Sequence, residues 1–412
     1  MFLQITKYDS MKKYSFASMF LMAVMLISCE IVDNKGSIQT EAADVFVGLD
    51  KVAEILSQVP LESDHLKEVH YAVTSSSSNG YDEEYTMKNL FEFPGAGVGD
   101  PLSKALSLPV RPLRSLIEEH VRNKAATKAD MADPDAFLKA LSSSDLQIYW
   151  PFSEEWDGKT MPVITFDPED GADMNIGYRL VSCDDGSRIV EEIVVDEAMA
   201  ESVPVWVVNR NSDAGYTSLE MLRREDPDWG EGGGAVIIKP AFPSEVPQRK
   251  SPSPYKSLVL KEFTMNRNYD TWFAGASEFF VKIGYVDDFT ATTDAELRLF
   301  NPMVTDFMVV VKRKQVGIPQ PVNVLMMSDW SSQMTSCAFM ITEDDGGTQT
   351  EWTCKAKVYV ASKSYGIEIS LPVKTRDDIV WRGELASRWL EDNESRSWAF
   401  GDVDLTFDLV EN

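Results

Sequence analysis

Pairs of neighbouring carboxylates are the most frequent residues in this sequence whose types and spacing could carry chemistry. They occur at Asp82-Glu83-Glu84, Glu154-Glu155 with Asp157, Asp184-Asp185, Asp287-Asp288, Asp344-Asp345 and Asp377-Asp378. A glycosidase needs two such groups about 5–9.5 Å apart in a cleft, and calcium takes carboxylate and backbone oxygens from loops. Acidic loop residues are otherwise simply solvated, so these pairs alone assign no reaction.

Four of these acids are the candidates for a metal site. In a β-sandwich the loops at one end of the domain lie close together, so acids from several loops can surround one ion. Asp287, Asp288, Asp377 and Asp378 fall in segments predicted to be such loops. Calcium at these positions is the one cofactor that the sequence suggests, and we expect no other.

A cluster of aromatic residues indicates a second kind of site. Tyr149 and Trp150 are followed by Pro151 and Phe152, with Trp156 close behind. Aromatic rings stack on the apolar faces of sugars, and the same rings also fill hydrophobic cores. Tyr149, Trp150 and Trp156 are therefore candidates for glycan stacking, with core packing as the alternative. A cleft within residues 146–240 that holds two facing acids beside these rings would favour a glycan hydrolase.

Other catalytic patterns are missing from the sequence. The three histidines, His65, His70 and His120, show no zinc-binding spacing, and no H-E-x-x-H occurs. The G-x-S-x-G of a serine hydrolase is absent as well. The glycine-rich segment 230–234 precedes a predicted strand, whereas a phosphate-binding loop follows a strand and opens a helix. No catalytic residue can be assigned on these grounds.

The N-terminal residues have the layout of an export signal. Met11 is the better start, because Lys12 and Lys13 supply positive charge ahead of an apolar run over residues 16–27. That run is shorter than the roughly 20 apolar residues that span a bilayer. It ends in Leu-Ile-Ser-Cys, similar to a bacterial lipobox, in which the thiol of Cys29 takes the lipid. An ordinary secretory signal or an uncleaved anchor, with a chance cysteine, is the alternative.

The formal net charge of −27 excludes some partners. Such a field repels nucleic-acid phosphates, so we expect no nucleic-acid partner. It also repels anionic lipid headgroups. Attachment to a membrane must then come through a lipid anchor, where one acyl chain binds marginally and two or three hold stably. We therefore expect the membrane contact to be made by lipid on Cys29.

Composition divides the N-terminal half of the chain. Residues 1–28 are the predicted signal peptide, 29–44 a polar tether that starts at the lipidated cysteine, and 45–240 an α+β domain. Helical spacing occurs over 45–58, 113–121 and 133–141, where Asp133 is a predicted N-cap followed by Pro134. Strand-like runs follow at 146–150, 161–166, 189–195, 203–208 and 235–239.

The C-terminal half has a different pattern. Residues 241–255 form a proline-rich linker, which cannot run through a sheet interior. Residues 256–412 are predicted to be all-β, with strands at 258–265, 279–285, 296–300, 307–312, 322–327, 337–342, 351–361, 366–373 and 403–410. Many short strands at regular spacing predict a sandwich, either C2-like or immunoglobulin-like. The expected fold class is therefore an α+β region followed by an all-β sandwich.

One hairpin can be predicted in register. Asp345-Gly346 is a strong type I′ turn pair, and a two-residue turn there places Cys337 opposite Cys354. That pair is then non-hydrogen-bonded, with Cα atoms about 4.5 Å apart, which a disulfide can bridge. Because an exported protein meets an oxidising compartment, we predict a Cys337–Cys354 disulfide. Two buried free thiols, or a slipped register, are the alternatives.

Three stretches of the sequence resemble uncharacterised lipoproteins of gut Bacteroidota. They are Asn-Gly-Tyr-Asp-Glu-Glu-Tyr at 79–85, Ile-Tyr-Trp-Pro at 148–151 and Val-Trp-Val-Val-Asn at 205–209. The acids that follow Cys29, Glu30 and Asp33, look like the surface-export signals of such lipoproteins. The resemblance covers most of the chain. It implies an outer-membrane, lipid-anchored protein that faces the cell surface, and it implies no catalytic residues.

Together these features favour a non-catalytic cell-envelope lipoprotein with a binding or adhesive role, whose ligand is a glycan or a protein. A carboxylate-dependent hydrolase acting on glycans is the first alternative. A structural subunit of an envelope complex is the second, and an exposed apolar patch on the C-terminal domain would suggest it.

Overall fold

The computed structural model describes residues 46–101, 111–127, 133–182, 188–211, 215–225, 227, 237–238 and 256–411. The predicted signal peptide, lipidated Cys29, tether and proline-rich linker lie outside the described residues. Among the helices of the described segments, none is long and apolar enough to cross a membrane. All described residues belong to one compact unit.

Eight α-helices occur in the described residues. They are α1 Leu49–Gln58, α2 Ser63–Ser78, α3 Met87–Glu92, α4 Leu113–Thr127, α5 Pro134–Ser142, α6 Glu197–Ala200, α7 Leu219–Glu225 and α8 Ser387–Asp392. The predicted cap of α5 is confirmed, because the Asp133 side chain accepts hydrogen bonds from the backbone N–H groups of Asp135 and Ala136. Short 3₁₀ helices lie at Ser153–Glu155, Glu296–Leu299 and Arg313–Gln315.

Seventeen strands accompany these helices in the same residues. They are β1 Glu84–Thr86, β2 Leu146–Tyr149, β3 Val163–Phe166, β4 Met174–Ser182, β5 Arg188–Asp196, β6 Val205–Arg210, β7 Ile237–Ile238, β8 Lys256–Met265, β9 Ser277–Tyr285, β10 Met303–Val311, β11 Gln320–Trp330, β12 Met334–Glu343, β13 Gln349–Val360, β14 Lys363–Lys374, β15 Asp378–Ala386, β16 Ser397–Phe400 and β17 Val403–Glu411.

The N-terminal region is one sheet, sheet A, with helices packed on one face. Its strand order is β1-β2-β6-β3-β4-β5, and β3 and β6 form its parallel pair. Leu56 of α1 and Val69 of α2 pack with Ile148 and Trp206 of the sheet in one buried cluster. Alternation along the strands sends Tyr149, Val205 and Val207 to the opposite face, where a C-terminal segment with Trp272 and Phe273 covers them.

The C-terminal region is a sandwich of two sheets. Sheet B has the order β14-β13-β12-β9-β10-β7, with β15 also paired to β12, and sheet C has the order β11-β8-β17-β16. Alternate residues of β9 and β12, such as Val281, Ile283 and Phe339, point into a core shared with Leu260 and Leu405 of sheet C. The predicted fold class, an α+β region followed by a β-sandwich, is confirmed.

Two predicted strands behave differently from the expectation. Residues 296–300 were expected to form a strand, but Glu296–Leu299 is a 3₁₀ helix. The strand predicted at 235–239 appears as β7, yet it pairs with Val304 and Thr305 of β10. A segment assigned by sequence to the α+β region thus completes the edge of sheet B.

The predicted Cys337–Cys354 hairpin is wrong. β12 and β13 pair only at their far ends, Met334 with Val358 and Ser336 with Lys357. From Ser336 onward β15 takes the place beside β12, so Cys337 faces Leu385 and Cys354 faces Ile369. Both thiols are free. The local turn signal failed because strand β15, distant in sequence, competes for the same edge of β12.

Candidate functional site

Of the three aromatic residues predicted to stack on sugars, Tyr149 and Trp150 lie in the core and only Trp156 reaches the surface. Tyr149 and Trp150 are 3% and 1% exposed, on opposite faces of sheet A. Trp156 is half-buried, its ring lies 5.3 Å from that of Trp150, and its indole N–H donates to the carbonyl of Thr160. Of the three rings, only that of Trp156 is therefore open to a ligand. The three do not form an extended surface on which a sugar could stack.

A cavity of about 220 Å³ lies beside these rings, where a hydrolase would need two facing acids in a cleft. It meets that criterion only in part. Glu155, Asp157 and Glu201 line it together with Trp156. All three acids are exposed. The Asp157 carboxylate accepts hydrogen bonds from its own loop, from the N–H groups of Lys159 and Thr160, and these bonds lower its pKa. Solvated acids of this kind make poor general acids, which need a raised pKa.

The four predicted calcium ligands do not come together. Asp378 lies opposite Glu343, which pairs with Phe279 at the start of β9. Asp287 and Asp288 follow the other end of the same strand, roughly 26 Å away at about 3.3 Å per residue. The predicted four-residue site is therefore wrong, because it mixed loops from opposite ends of the sandwich.

The loop between β8 and β9, residues 266–276, is held by the α+β region. The carboxylate of Asp82 accepts the N–H of Ala276 at 3.0 Å, and the Asn209 amide donates to the carbonyls of Phe273 and Ala274. Gly275 adopts φ +122°, and a Cβ there would overlap the Asp82 carboxylate. These contacts fix the loop on the edge of the sandwich and so position its acid, Asp270.

Asp270 meets two further acids, and the three form what we call the acidic triad. Glu343 is the last residue of β12, and Asp345 follows in the β12–β13 loop. One carboxylate oxygen from each of Asp270, Glu343 and Asp345 lies within 4.8 Å of the other two. Asp270 and Asp345 line a cleft of about 660 Å³ between the two halves of the molecule, and Glu343 is buried beside them.

The electrostatics of the triad follow from its position. Glu343 is 1% exposed, and one of its carboxylate oxygens has no hydrogen-bond partner. Burial, reinforced by Asp270, raises the pKa of Glu343 to about 11. Burial likewise raises the pKa of Asp270 to about 7, although a hydrogen bond with Glu343 and the charge of Arg313 oppose the shift. Without a cation between them, the three carboxylates cannot all ionise at neutral pH.

A second group of ionisable residues lies on the face of sheet B turned toward the α+β region. Lys282 of β9 is directly opposite Asp306 of β10, and the Lys282 ammonium donates to the Thr342 hydroxyl at 2.9 Å. Asp377 lies near both charges. Together they line a cavity of about 520 Å³ that adjoins the cleft and shares Gly347 and Lys374 with it.

An aromatic wall faces these charges. The rings of Tyr216 and Phe280 pack with centroids 4.3 Å apart. The Lys374 ammonium lies 5.0 Å from the Tyr216 ring centroid, and the Lys282 ammonium 5.0 Å from that of Phe280. We call this cavity the lysine pocket; it is lined by Gly215, Tyr216, Phe280, Lys282, Asp306, Gly347, Gln349, Pro372, Val373, Lys374 and Asp377.

The charges of the lysine pocket are incompletely satisfied. Asp306 and Asp377 each have one buried carboxylate oxygen without a hydrogen-bond partner. Burial raises the pKa of Asp306 to about 6, with Lys282 opposing and Asp377 adding to the shift. Burial also raises the pKa of Asp377 to about 6 and lowers that of Lys282. Buried polar atoms without partners are costly, so they mark places where a ligand or water completes the hydrogen bonding.

Sequence reasoning missed the lysine pocket, although one signal for it was present. The run 277–285 is otherwise apolar at its centre, and Lys282 interrupts it. A lysine inside a buried strand needs a partner on the same face, and Asp306 of β10 is that partner, just before the predicted strand 307–312. The pairing register, which the sequence does not show, was needed to connect the two.

Comparisons with known proteins found no matching family model, no similar curated protein and no similar solved structure.

Proposed function

We propose that this protein is a lipid-anchored cell-envelope protein that binds a carbohydrate in the lysine pocket. The observation that carries the proposal is the composition of that pocket, where the half-buried ring of Tyr216, packed on the buried Phe280, borders two carboxylates and two ammonium groups. Sugars present apolar C–H faces and rings of hydroxyls, so they need aromatic surface together with charged donors and acceptors. Protein ligands are the alternative class.

The unsatisfied oxygens support this choice of ligand. Asp306 and Asp377 each have one carboxylate oxygen without a hydrogen-bond donor, and Lys282 and Lys374 supply donors nearby. Sugar hydroxyls donate and accept at once and can therefore complete both sets. A cavity of about 520 Å³ falls within the range of small-ligand sites, which is about 300–1,000 Å³.

The ligand is tested by screening the full-length protein against a glycan array and measuring any hit by calorimetry. We expect Tyr216→Ala to weaken binding at least tenfold, because Tyr216 carries the one part-exposed ring of the aromatic wall. Trp156→Ala, in the cavity of about 220 Å³, is the matched control and keeps the native affinity. Binding that is lost with Trp156→Ala and kept with Tyr216→Ala would move the site to that other cavity.

A glycan hydrolase is the second candidate, favoured by one specific observation. Asp306 and Asp377 line one pocket, their charges influence each other, and both have a pKa raised to about 6. A carboxyl group with a raised pKa can act as a general acid near neutral pH. If native protein releases new reducing ends from a bound glycan, while Asp306→Asn and Asp377→Asn bind it without release, the protein is a hydrolase.

The proposed location is the outer membrane, with the protein anchored by lipid on Cys29 and facing the cell surface. Its support is the leader, with the ending Leu-Ile-Ser-Cys and the acids Glu30 and Asp33. Intact-cell labelling and fractionation of the native protein beside Cys29→Ala test it. We expect the native protein in membranes and labelled from outside, and the variant released. Identical fractionation of both would overturn the anchor.

A further inference from the structure

The acidic triad gathers three carboxylates from two segments that are far apart in sequence. Asp270 comes from the loop between β8 and β9, whereas Glu343 and Asp345 come from the end of β12 and the turn that follows. Their oxygens lie within 4.8 Å of one another. Calcium binds oxygen at about 2.4 Å, so two ligands of one ion are at most about 4.8 Å apart.

The buried member of the triad shares a hydrogen bond with Asp270 but has one carboxylate oxygen without a partner. Glu343 is 1% exposed, and its Oε1 accepts no hydrogen bond. Its backbone pairs with Phe279 on one side and Asp378 on the other, which fixes the residue within sheet B beside Asp270 and Asp345. A buried carboxylate oxygen without a partner is costly.

No basic side chain neutralises the three acids. Among the ion pairs of the described residues, none includes Asp270, Glu343 or Asp345. The nearby Arg313 guanidinium donates to the Asp270 carbonyl and to the Glu197 carboxylate instead. Lys374 is paired with the neighbouring Asp344. The triad thus concentrates negative charge that Arg313 and Arg376 offset only through space, without an ion pair.

We propose that the acidic triad binds one divalent cation, calcium, at the wall of the cleft between the two halves of the molecule. An all-oxygen set of carboxylates selects calcium, magnesium or manganese over zinc and copper, which prefer nitrogen and sulfur. Magnesium demands near-ideal octahedral geometry, whereas calcium accepts irregular sites completed by water. Asp345 is exposed and borders the cleft, so the remaining coordination positions face water.

The binding test uses full-length protein stripped with a chelator and then titrated with calcium by calorimetry. We expect one calcium per chain and a rise of several degrees in the melting temperature. Magnesium is expected to bind at least tenfold more weakly. This outcome is independent of the carbohydrate proposal, because no sugar is present in the experiment.

Two variants and a matched control locate the ion. Glu343→Gln and the exposed Asp345→Asn each remove one ligand charge, and both should abolish the calcium-dependent shift. Asp288→Asn removes the same charge at the opposite end of sheet B, and asparagine tolerates the φ of 45° found there. It should keep the native response, and a calcium response lost equally in all three variants would indicate general charge screening.

The competing explanation is a shared proton, with Glu343 protonated and donating to Asp270. It predicts no calcium binding to the native protein and an unchanged or higher melting temperature for Glu343→Gln in chelator. That pair of results would overturn the calcium proposal. Because Asp345 is exposed, Asp345→Asn keeps the test decisive even if Glu343→Gln fails to fold.

Discussion

The two faces of sheet B are built from the same strands and have opposite characters. On the face toward sheet C, Phe279, Val281 and Ile283 of β9 are fully buried in an apolar core. On the face toward the α+β region, the alternate positions hold Phe280 and Lys282, with Lys282 opposite Asp306. The first face stabilises the fold through buried apolar area, whereas the second keeps charges in a pocket at a cost in stability. We therefore expect the charged pocket on this second face to serve a function.

The largest expected effect is on the apolar face. Phe339 is fully buried and packs with Phe400 and Phe407 of sheet C at ring-centroid distances of 5.8 Å. Phe339→Ala should lower the free energy of unfolding by about 3–5 kcal/mol, because it removes buried area and leaves a cavity. Chemical denaturation measures it. A loss below about 1 kcal/mol would contradict the assignment of this face as the core.

The next effect concerns the loop that carries Asp270. Gly275→Ala combines an unfavourable φ of +122° with overlap of the new Cβ with the Asp82 carboxylate, and should cost about 2–3 kcal/mol. Gly158→Ala is the matched control, since its φ is +79° and nothing lies within 4 Å of a Cβ there. Equal melting temperatures for the two variants would show that the contact with Asp82 does not constrain the loop.

A smaller effect is expected on the charged face. Lys282→Met should destabilise the protein by about 1–3 kcal/mol, because it leaves the Asp306 carboxylate without its cation. The double variant Lys282→Met with Asp306→Leu should recover most of the loss, since it removes both charges. Denaturation of the three proteins forms a double-mutant cycle. Additive losses in that cycle would mean that the two residues are not coupled.

The smallest effect depends on pH. Asp306 has a folded-state pKa raised from 3.8 to about 6, so its ionisation disfavours the folded state. The contribution of Asp306 to the stability of the folded protein is most favourable below about pH 4. It becomes less favourable as the pH rises from about 4 to about 6, because the carboxyl ionises more readily in the unfolded state. Asp306→Asn should therefore match the native melting temperature at pH 4 and exceed it increasingly up to pH 7. The charged groups around Asp306 are Lys282, Asp377 and Lys374, and the phenol of Tyr216 nearby is neutral in this range. A constant difference across pH would contradict the raised pKa.

Local patterns predicted much of the fold. The α5 cap at Asp133 and the alternating strands of the C-terminal half follow from capping chemistry and period-2 burial, which neighbouring residues determine. Helix α2 was missed, because its end is four serines, which are weak helix formers. Contacts from outside the helix hold it: Ser76 donates to the Glu84 carbonyl, and Glu68 accepts from Leu113 and Tyr85.

The candidate sites were much less predictable. The sequence showed that acids from the loops at one end of a sandwich can gather, and the acidic triad is such a gathering. It named the wrong residues, because Asp270 reaches the triad only through the contacts of its loop with Asp82 and Asn209. Those contacts join residues more than 60 positions apart, which periodicity cannot reveal.

By itself the sequence determined the positions of most strands and of three helices, and the division into an α+β region and a β-sandwich region. These depend on interactions within a few residues. Only the tertiary structure decided which strands are neighbours. Strand β15, and not β13, lies beside most of β12, so both cysteine thiols are free and Asp378 lies beside Glu343. Distant segments compete for the same backbone hydrogen bonds, and this competition determines which strands are neighbours. The charged pockets form only when those neighbours are in place.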